Sequence, residues 1–396
     1  MNILVFNCGS SSQSTKLYRW DGTDFHVLAS AKAFNVETTA LTQPSLTLRL
    51  GDETVVLTKD VSTHAGAARA LIHALREHSI PIDAVGHRFV HGGELFHATT
   101  RIDAEQLPRL RLTTPYAPIH NPHTLAVIDV CLEVLPDAPQ FAVFDTAFYA
   151  SMPPAARSYA LPQRIAREEG LRKYGFHGLS YQYVSARAAD LLGRPLSELK
   201  LVMCHLGTGG SSVTALKHGI PVDTSMGYSP LAGLVMSTRS GDVDPGIVLE
   251  LVHRLGSADE VSRMLNFESG LLGLSGKTSS LLEIIAGMDA GDPDCRLAFD
   301  VYAQRLKLYL GGFVWELGGA DAIIFTDSLG TQAWQLRQAV CGEVAALGIR
   351  PDTERNRTAN PSAETLISAP DSSTKIWVIP TDEERVLAEE VVKVID

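Results

Sequence analysis

Leu201-Val202-Met203-Cys204-His205-Leu206-Gly207-Thr208-Gly209-Gly210-Ser211-Ser212-Val213-Thr214-Ala215-Leu216 sets two apolar runs on either side of a Gly/Ser-rich loop. Leu201–His205 is an apolar run of strand length. It breaks at a Gly/Ser-rich loop, Gly207–Ser212, and resumes as a second strand over Val213–Leu216. His218-Gly219 then turns the chain into Ile220–Val222. The same plan opens the chain. Ile3–Asn7 is a short apolar run, Cys8-Gly9-Ser10-Ser11-Ser12 is the loop, and a second strand runs to Tyr18 before the turn Asp21-Gly22. Strand, loop, strand and turn therefore occur twice. The recurrence predicts an internal structural duplication. The alternative is chance, because Gly/Ser loops between strands are common.

Outward from these two stretches, Leu46–Leu50 and Thr54–Leu57 flank the turn Gly51-Asp52 and read as a hairpin. Ala65–His78 reads as a helix, and Ala84–His91 as a strand ending at Gly92-Gly93. Ala322–Phe325 is a strand, Thr326–Thr331 a loop, and the region Trp334–Leu347 a helix. Pro351–Ser368 is polar and turn-rich and reads as a surface loop; Lys375–Ile379 reads as a strand. Thr381-Asp382-Glu383-Glu384 has the acidic first turn of a helix N-terminus, with the helix running to about Val394. Strands alternating with helices make the class α/β. The domain boundary is expected near residue 150, around Met152-Pro153-Pro154.

A chain of 396 residues has room for about two domains. Its 45% hydrophobic and 20% charged residues are an ordinary globular balance. The formal net charge of -11 argues against non-specific nucleic-acid binding. An acidic protein that binds anions must gather its cations locally, so an arginine inside a motif is informative. The 5 cysteines form no CxxC pair and are odd in number, which argues against a disulfide framework or a thiolate zinc site. The N-terminal residues lack a cationic region followed by a long apolar one, and there is no apolar run of ~18 residues or more. The expected location is the cytoplasm.

Backbone N–H groups of a Gly/Ser-rich loop can converge on one centre and bind anionic oxygens, with serine hydroxyls as further donors. Both Gly9–Ser12 and Gly207–Ser211 have this composition. There is no GxxxxGK[ST] and no GxGxxG opening a helix after a strand, so neither a P-loop nor a dinucleotide site is expected. Arg88, in Gly86–Glu94, and Arg239, in Met236–Pro245, are flanked by small or turn residues, a setting for bidentate binding of carboxylate or phosphate; a structural salt bridge is the alternative for each. His177 lies on the Gly-flanked turn Tyr174–Gly178, and His120 on His120-Asn121-Pro122. For a lone histidine in such a turn a structural role is the commoner reading. His87 and His91 are four apart on a strand, without the HExxH glutamate, so a zinc site is not expected there. Asp145 closes the apolar run Phe141–Phe144, where a carboxylate can hold Mg²⁺ or simply cap a turn.

Taken together these strings resemble the acetate kinase family, within the sugar kinase/actin/Hsp70 superfamily. The matching strings are Asn7–Ser12, Gly86–Glu94, His120–Pro122, Ala142–Phe148, Tyr174–Gly178, His205–Gly207, Asp223–Gly227, Thr238–Pro245 and Ile379–Glu384. They follow the family's order and span nearly the whole chain. The resemblance implies two duplicated actin-like domains, residues 1–150 and 151–381, with the site in the cleft between them. It also implies a C-terminal helix, 382–396, that completes the first domain, and a homodimer.

The resemblance further implies a Mg²⁺-dependent transferase, a kinase that interconverts a short carboxylate and its acyl phosphate with ATP and ADP as co-substrates. Arg88 and Arg239 would hold the carboxylate and the transferring phosphoryl group, and His177 would donate a hydrogen bond to that phosphoryl. Asp145 would orient substrate or metal, and Asn7 and Glu383 would help position Mg²⁺. Val90, Ile119, Phe176 and Pro230 would line a small acyl pocket suited to acetate or propionate, with His120 beside the substrate. Ser10, Ser12, His205, Gly207, Thr208 and Gly209 would belong to the phosphate loops.

Departures from the family pattern cluster at the nucleotide end. Thr208 replaces the usual Asn. Ser14 replaces a lysine, for which Lys16, on the same strand face, is the candidate substitute. Ser280-Leu281-Leu282 stands where the family has Asp-Phe-Arg. Ser328-Leu329-Gly330-Thr331-Gln332 stands for Gly-Ile-Gly-Glu-Asn. Losing the arginine removes a cation and a stacking plane. Three readings follow: an ATP-dependent kinase, the same acyl-phosphate chemistry with another donor such as pyrophosphate, and a non-catalytic relative that binds acyl phosphate or a partner protein.

Overall fold

The computed structural model describes residues 1–37 and 43–395. The chain forms two compact units. One comprises residues 1–150 with the segment from Asp382 onward, the other Ser151–Thr381.

The first unit is built on β1 (Asn2–Cys8), β2 (Ser12–Trp20), β3 (Phe25–Phe34), β4 (Ser45–Leu50), β5 (Glu53–Leu57), β6 (Ala84–Phe89), β7 (Thr100–Ile102) and β8 (Gln140–Phe144). Their order across the sheet is β5-β4-β3-β2-β1-β6-β8-β7. β1 is a continuous apolar run because both of its faces are covered. Ile3, Leu4, Val5 and Phe6 are all buried. Leu4 and Phe6 share a core with the helices His64–Glu77 and Asn121–Val134. The first of these helices starts at Thr63, whose hydroxyl accepts from Gly66 N at 3.0 Å.

The helix Glu383–Val394 packs on β1 and β6, on the side of Val5 and Gly86. Asp382 caps it, accepting from Arg385 N at 3.0 Å. It lies so close that a Cβ at Gly86 would stand 2.9 Å from Val391 Cγ2. Glycine is required there by proximity.

The second unit contains β9 (Lys200–Leu206), β10 (Ser211–Lys217), β11 (Ile220–Thr224), β12 (Ala322–Thr326), β13 (Thr365–Leu366) and β14 (Lys375–Val378), ordered β11-β10-β9-β12-β14-β13. The order β3-β2-β1-β6-β8-β7 in the first unit is its counterpart strand for strand. The senses agree as well: two antiparallel pairings, two parallel, then one antiparallel. The expected duplication is therefore present. Even the loops close alike, with Gly9 N donating to Ser12 O at 2.8 Å and Gly207 N to Gly210 O at 3.0 Å. The core of the second unit forms around the helix Pro293–Leu317, capped by Asp292 through Asp294 N and Cys295 N.

Some local expectations need correcting. The strand Ala84–His91 ends at Phe89. Thr326–Thr331 is not a loop: a helix begins directly after β12 and spans Asp327–Gln332. The next helix stops at Cys341, with only a 3₁₀ turn at Ala345–Leu347. Pro351–Ser368 holds a helix, Thr353–Thr358, and the strand β13. The reason is a buried cation. Arg337 donates to Gly330 O and Thr331 O at 2.8 and 2.9 Å, and to Asn356 Oδ1 and O at 2.8 and 3.0 Å. It ties both short helices to its own.

Candidate active site

In the first unit β1, β6 and β8 run parallel, and Phe6 pairs with His87 as Phe89 does with Phe144. Their carboxyl ends are therefore level, the usual place for ligands in an open α/β sheet. Asn7, Arg88 and Asp145 stand at those three ends. Arg88 Nε and Nη2 donate to Asp145 Oδ1 and Oδ2 at 3.0 and 2.6 Å, and Nη1 donates to Asn7 Oδ1 at 2.9 Å. These bonds take three of the five guanidinium N–H donors. Asn7 Nδ2 donates to Glu383 Oε2 at 2.9 Å and Glu384 Oε1 at 3.2 Å. Glu383 lies 3.5 Å from Arg88. Burial by itself would push the Arg88 guanidinium down; Asp145, Glu383 and Glu384 outweigh it and hold it above its ordinary value. Arg88 is thus a fixed, permanent cation.

In the second unit His177 sits at a left-handed position, φ 60°, just before the helix Gly178–Leu192. Its Nδ1 lies 2.8 Å from Ser212 Oγ, which is 2.6 Å from Tyr181 Oη. When Tyr181 donates to Ser212 and Ser212 to Nδ1, the ring proton resides on Nε2. Burial pushes the Tyr181 phenol up, so it stays a donor. His205 stacks on His177 with centroids 4.0 Å apart. A Cβ at Gly210 would stand 3.3 Å from Arg239 Nη1 and 3.4 Å from His177 Nε2, so both donors border the Gly207–Gly210 loop. Arg239 Nη1 also donates to Pro230 O at 3.4 Å. Among the described residues no carboxylate pairs with Arg239, and burial depresses its pKa. A desolvated cation of this kind favours an incoming anion.

The remaining expected site residues are divided between the two units. Val90 follows β6 and is buried, as is Phe176 beside His177; Ile119 and Pro230 are half-buried. His120 precedes the helix Asn121–Val134 without capping it. Ser10 is exposed and Ser12 half-buried on the first loop; Thr208 and Gly209 are exposed on the second. Lys16 is engaged, 2.8 Å from both oxygens of Asp382. Ser280 caps the helix Leu281–Asp289, accepting from Glu283 N at 3.4 Å, and Leu282 is exposed. Ser328 and Gly330 lie in the short helix after β12.

Sequence reasoning missed Glu384, Ser212 and Tyr181. Glu384 stands inside the string Ile379–Glu384. Ser212 is placed by its pairing with His205 across β9 and β10. His87 and His91 are buried, His87 at 2.8 Å from Gln140 Oε1. All 5 cysteines are free and buried. No helix among the described residues is long and apolar enough to cross a membrane.

A family model described as the acetokinase family matches residues 2–389. This chain belongs to the acetokinase family. It is 40% identical over 405 residues to an acetate kinase of Acetivibrio thermocellus, covering 100% of this chain and 99% of the relative. It is 43% identical over 404 residues to an acetate kinase of Desulfitobacterium hafniense, with the same coverage. The fold is similar to the crystal structure of Porphyromonas gingivalis acetate kinase, with a TM-score of 0.90 at 37% identity over 100% of both chains. It is also similar to a propionate kinase from Francisella tularensis, with a TM-score of 0.89 at 34% identity over 98% of both. The resemblance drawn from the motifs is borne out, and with it the fold class of two duplicated actin-like domains. As a member of the acetokinase family the chain is a kinase that transfers phosphate to a carboxylate.

Proposed function

We propose that this kinase phosphorylates acetate, with propionate as a second acceptor, using ATP and Mg²⁺. The observation that carries the reading is the placement of Arg239 Nη1 and His177 Nε2 along the Gly207–Gly210 loop, with Arg239 unmatched by any described carboxylate. A carboxylate is already ionised near neutral pH, so the reaction needs no strong base. Catalysis is alignment and charge stabilisation on the transferring phosphoryl. Arg239 and His177 supply positive charge and a hydrogen bond to it. Arg88, locked by Asp145, fixes the acceptor carboxylate with its remaining N–H donors. Buried Val90 in the first unit and buried Phe176 in the second are apolar side chains of the kind that keep water from a small acyl group.

The donor set of the first unit fits Mg²⁺. Asp145, Glu383 and Glu384 place three carboxylates around one guanidinium, which leaves a surplus of negative charge and hard oxygen donors. Among the described residues no three acidic, cysteine or histidine side chains cage a metal unaided. Mg²⁺ is commonly held by one or two carboxylates together with substrate phosphates. Asn7, Asp145 and Glu383 would hold it, and when bound it would neutralise charge on the phosphates.

A homodimer is part of the same reading. The helix Pro245–Leu255 is largely apolar and buries none of its residues, with Ile247 53% and Leu249 71% exposed. A second copy would cover it. Five reduced, buried thiols support a cytoplasmic enzyme.

The test is acyl-phosphate formation, trapped with hydroxylamine, from acetate and from propionate with ATP, GTP or pyrophosphate in parallel. Product with ATP and Mg²⁺ is expected. Product with pyrophosphate alone would overturn the donor assignment. No product with any donor would overturn the acceptor and the mechanism together.

A further inference from the structure

Three stretches of the second unit are tied together, and two of them lead to His177 and Arg239. Lys173 N donates to Arg157 O at 2.7 Å, and Ser158 and Arg172 form an isolated antiparallel bridge. Tyr174 N donates to Gly227 O at 3.0 Å, and the rings of Tyr174 and Tyr228 meet with centroids 6.2 Å apart. Tyr228 N in turn donates to Tyr159 Oη at 2.9 Å. The first stretch thus holds the second, the second holds the third, and the Tyr159 phenol ties the third back to the first. The fit is close. A Cβ at Gly227 would collide with Tyr159 Oη, so the phenol oxygen takes the place of a side chain there.

Tyr174 leads through Gly175 and Phe176 into His177. Tyr228 leads through Ser229 to Pro230, whose carbonyl accepts from Arg239 Nη1 at 3.4 Å. Gly227–Pro230 is therefore a short strap running from the His177 turn to the Arg239 guanidinium. Arg239 Nη1 and His177 Nε2 border one glycine, Gly210. A shift of the strap moves one of these donors relative to the other.

We propose that Tyr159 is a positioning residue: its phenol oxygen holds the Gly227–Pro230 strap where the Pro230 carbonyl aims Arg239 at the transferring phosphoryl. This rests on the reading that Arg239 supplies charge to that phosphoryl. Phosphoryl transfer depends on alignment, and a displacement of ~1 Å can cost ~100-fold in rate. A tyrosine that acts through the strap therefore affects the chemical step more than the binding of either substrate.

The experiment is acetyl-phosphate formation from acetate, ATP and Mg²⁺ by the full chain as wild type, Tyr159→Phe, Arg239→Ala and the double variant. Tyr159→Phe removes one oxygen and keeps an exposed ring, so it does not threaten folding. It is expected to lower kcat about 3–10-fold, the effect of one lost hydrogen bond. The KM values for acetate and ATP should stay within about 2-fold of the wild type. In the Arg239→Ala background the same substitution should change kcat by less than about 2-fold, because the guanidinium it aims is gone. A tyrosine that only supports the fold would lower kcat by the same factor in both backgrounds. With Arg239→Ala itself impaired, three results overturn the role of Tyr159 alone: an unchanged kcat in Tyr159→Phe, a rise in KM alone, or an equal loss in both backgrounds. If Arg239→Ala turns over as fast as the wild type, or the wild type makes no acetyl phosphate, the reading of Arg239 fails and the role of Tyr159 falls with it.

Discussion

Arg239 is a desolvated guanidinium that donates to Pro230 O at 3.4 Å. On the proposed function, removing it deletes charge opposite the transferring phosphoryl. Arg239→Ala should lower kcat by an amount equivalent to about 2–4 kcal/mol, as for the loss of one oxyanion donor. Steady-state assays check this, and an unchanged kcat would remove Arg239 from the chemistry. Ser212 acts one step further back. Ser212→Ala breaks the link from Tyr181 to His177 Nδ1 and frees the His177 ring to turn. The expected result is a lower kcat with the acetate KM little changed; a change in KM alone would contradict it. At this scale the sequence was informative wherever chemistry and local turn coincide. Arg88, Asp145, His177 and Arg239 each stand in a short string of distinctive residues. Ser212 and Tyr181 do not. They meet His177 only because β9 and β10 pair in one register and the helix after His177 turns Tyr181 inward.

Among the elements, β6 and the helix Glu383–Val394 pack closely enough to require a glycine. Gly86→Ala would set a methyl 2.9 Å from Val391 Cγ2, and overpacking of this kind costs about 1–3 kcal/mol. Urea unfolding should show that loss, and Val391→Ala in the same chain should restore part of it. Two independent, additive losses would place the strain elsewhere. β6 also carries a pH signature. Burial pushes the His87 imidazole down to about 4, despite its bond to Gln140. Unfolded histidine titrates near ~6.5. Between those values the unfolded chain binds the additional proton, so His87 withdraws stability as the pH falls from about 6.5 to about 4. The slope is about 1.4 kcal/mol per pH unit. His87→Gln should flatten the curve over that window in chemical denaturation, and an equally steep curve would refute the assignment.

Strands and hairpins were legible in the sequence, because apolar runs bounded by Gly and Asp turns carry their own signal. The helices Asp327–Gln332 and Thr353–Thr358 were not. Each has 6 residues, too few for a periodic pattern, and both are held from outside by Arg337.

For the molecule as a whole, the exposed apolar helix Pro245–Leu255 leads to a prediction about assembly. Leu249→Glu places a charge on its most exposed leucine. The wild type should sediment as a dimer, and the variant should shift toward monomer at the same concentration with its far-ultraviolet circular dichroism unchanged. A dimer of undiminished stability would exclude this helix from the interface. The duplicated plan was legible from two Gly/Ser loops alone, since each loop keeps its strands and its closing bond. What the repeat could not disclose is that the two copies came to carry different chemistry at matching strand ends: Asn7 and Arg88 in one, His205 and Thr326 in the other.

The helix Glu383–Val394 belongs to the first unit, yet the ribosome makes it only after all of Ser151–Thr381. The first unit cannot finish as a folding unit when its own strands emerge, although N-terminal domains ordinarily fold first during synthesis. Until then β1 and β6 present Val5 and Gly86 uncovered, and Asn7 lacks Glu383 and Glu384. The nascent chain is thus both incompletely packed and chemically unfinished for most of its translation. Synthesis of the helix Glu383–Val394, rather than emergence of the first unit's strands, is the event that completes that unit.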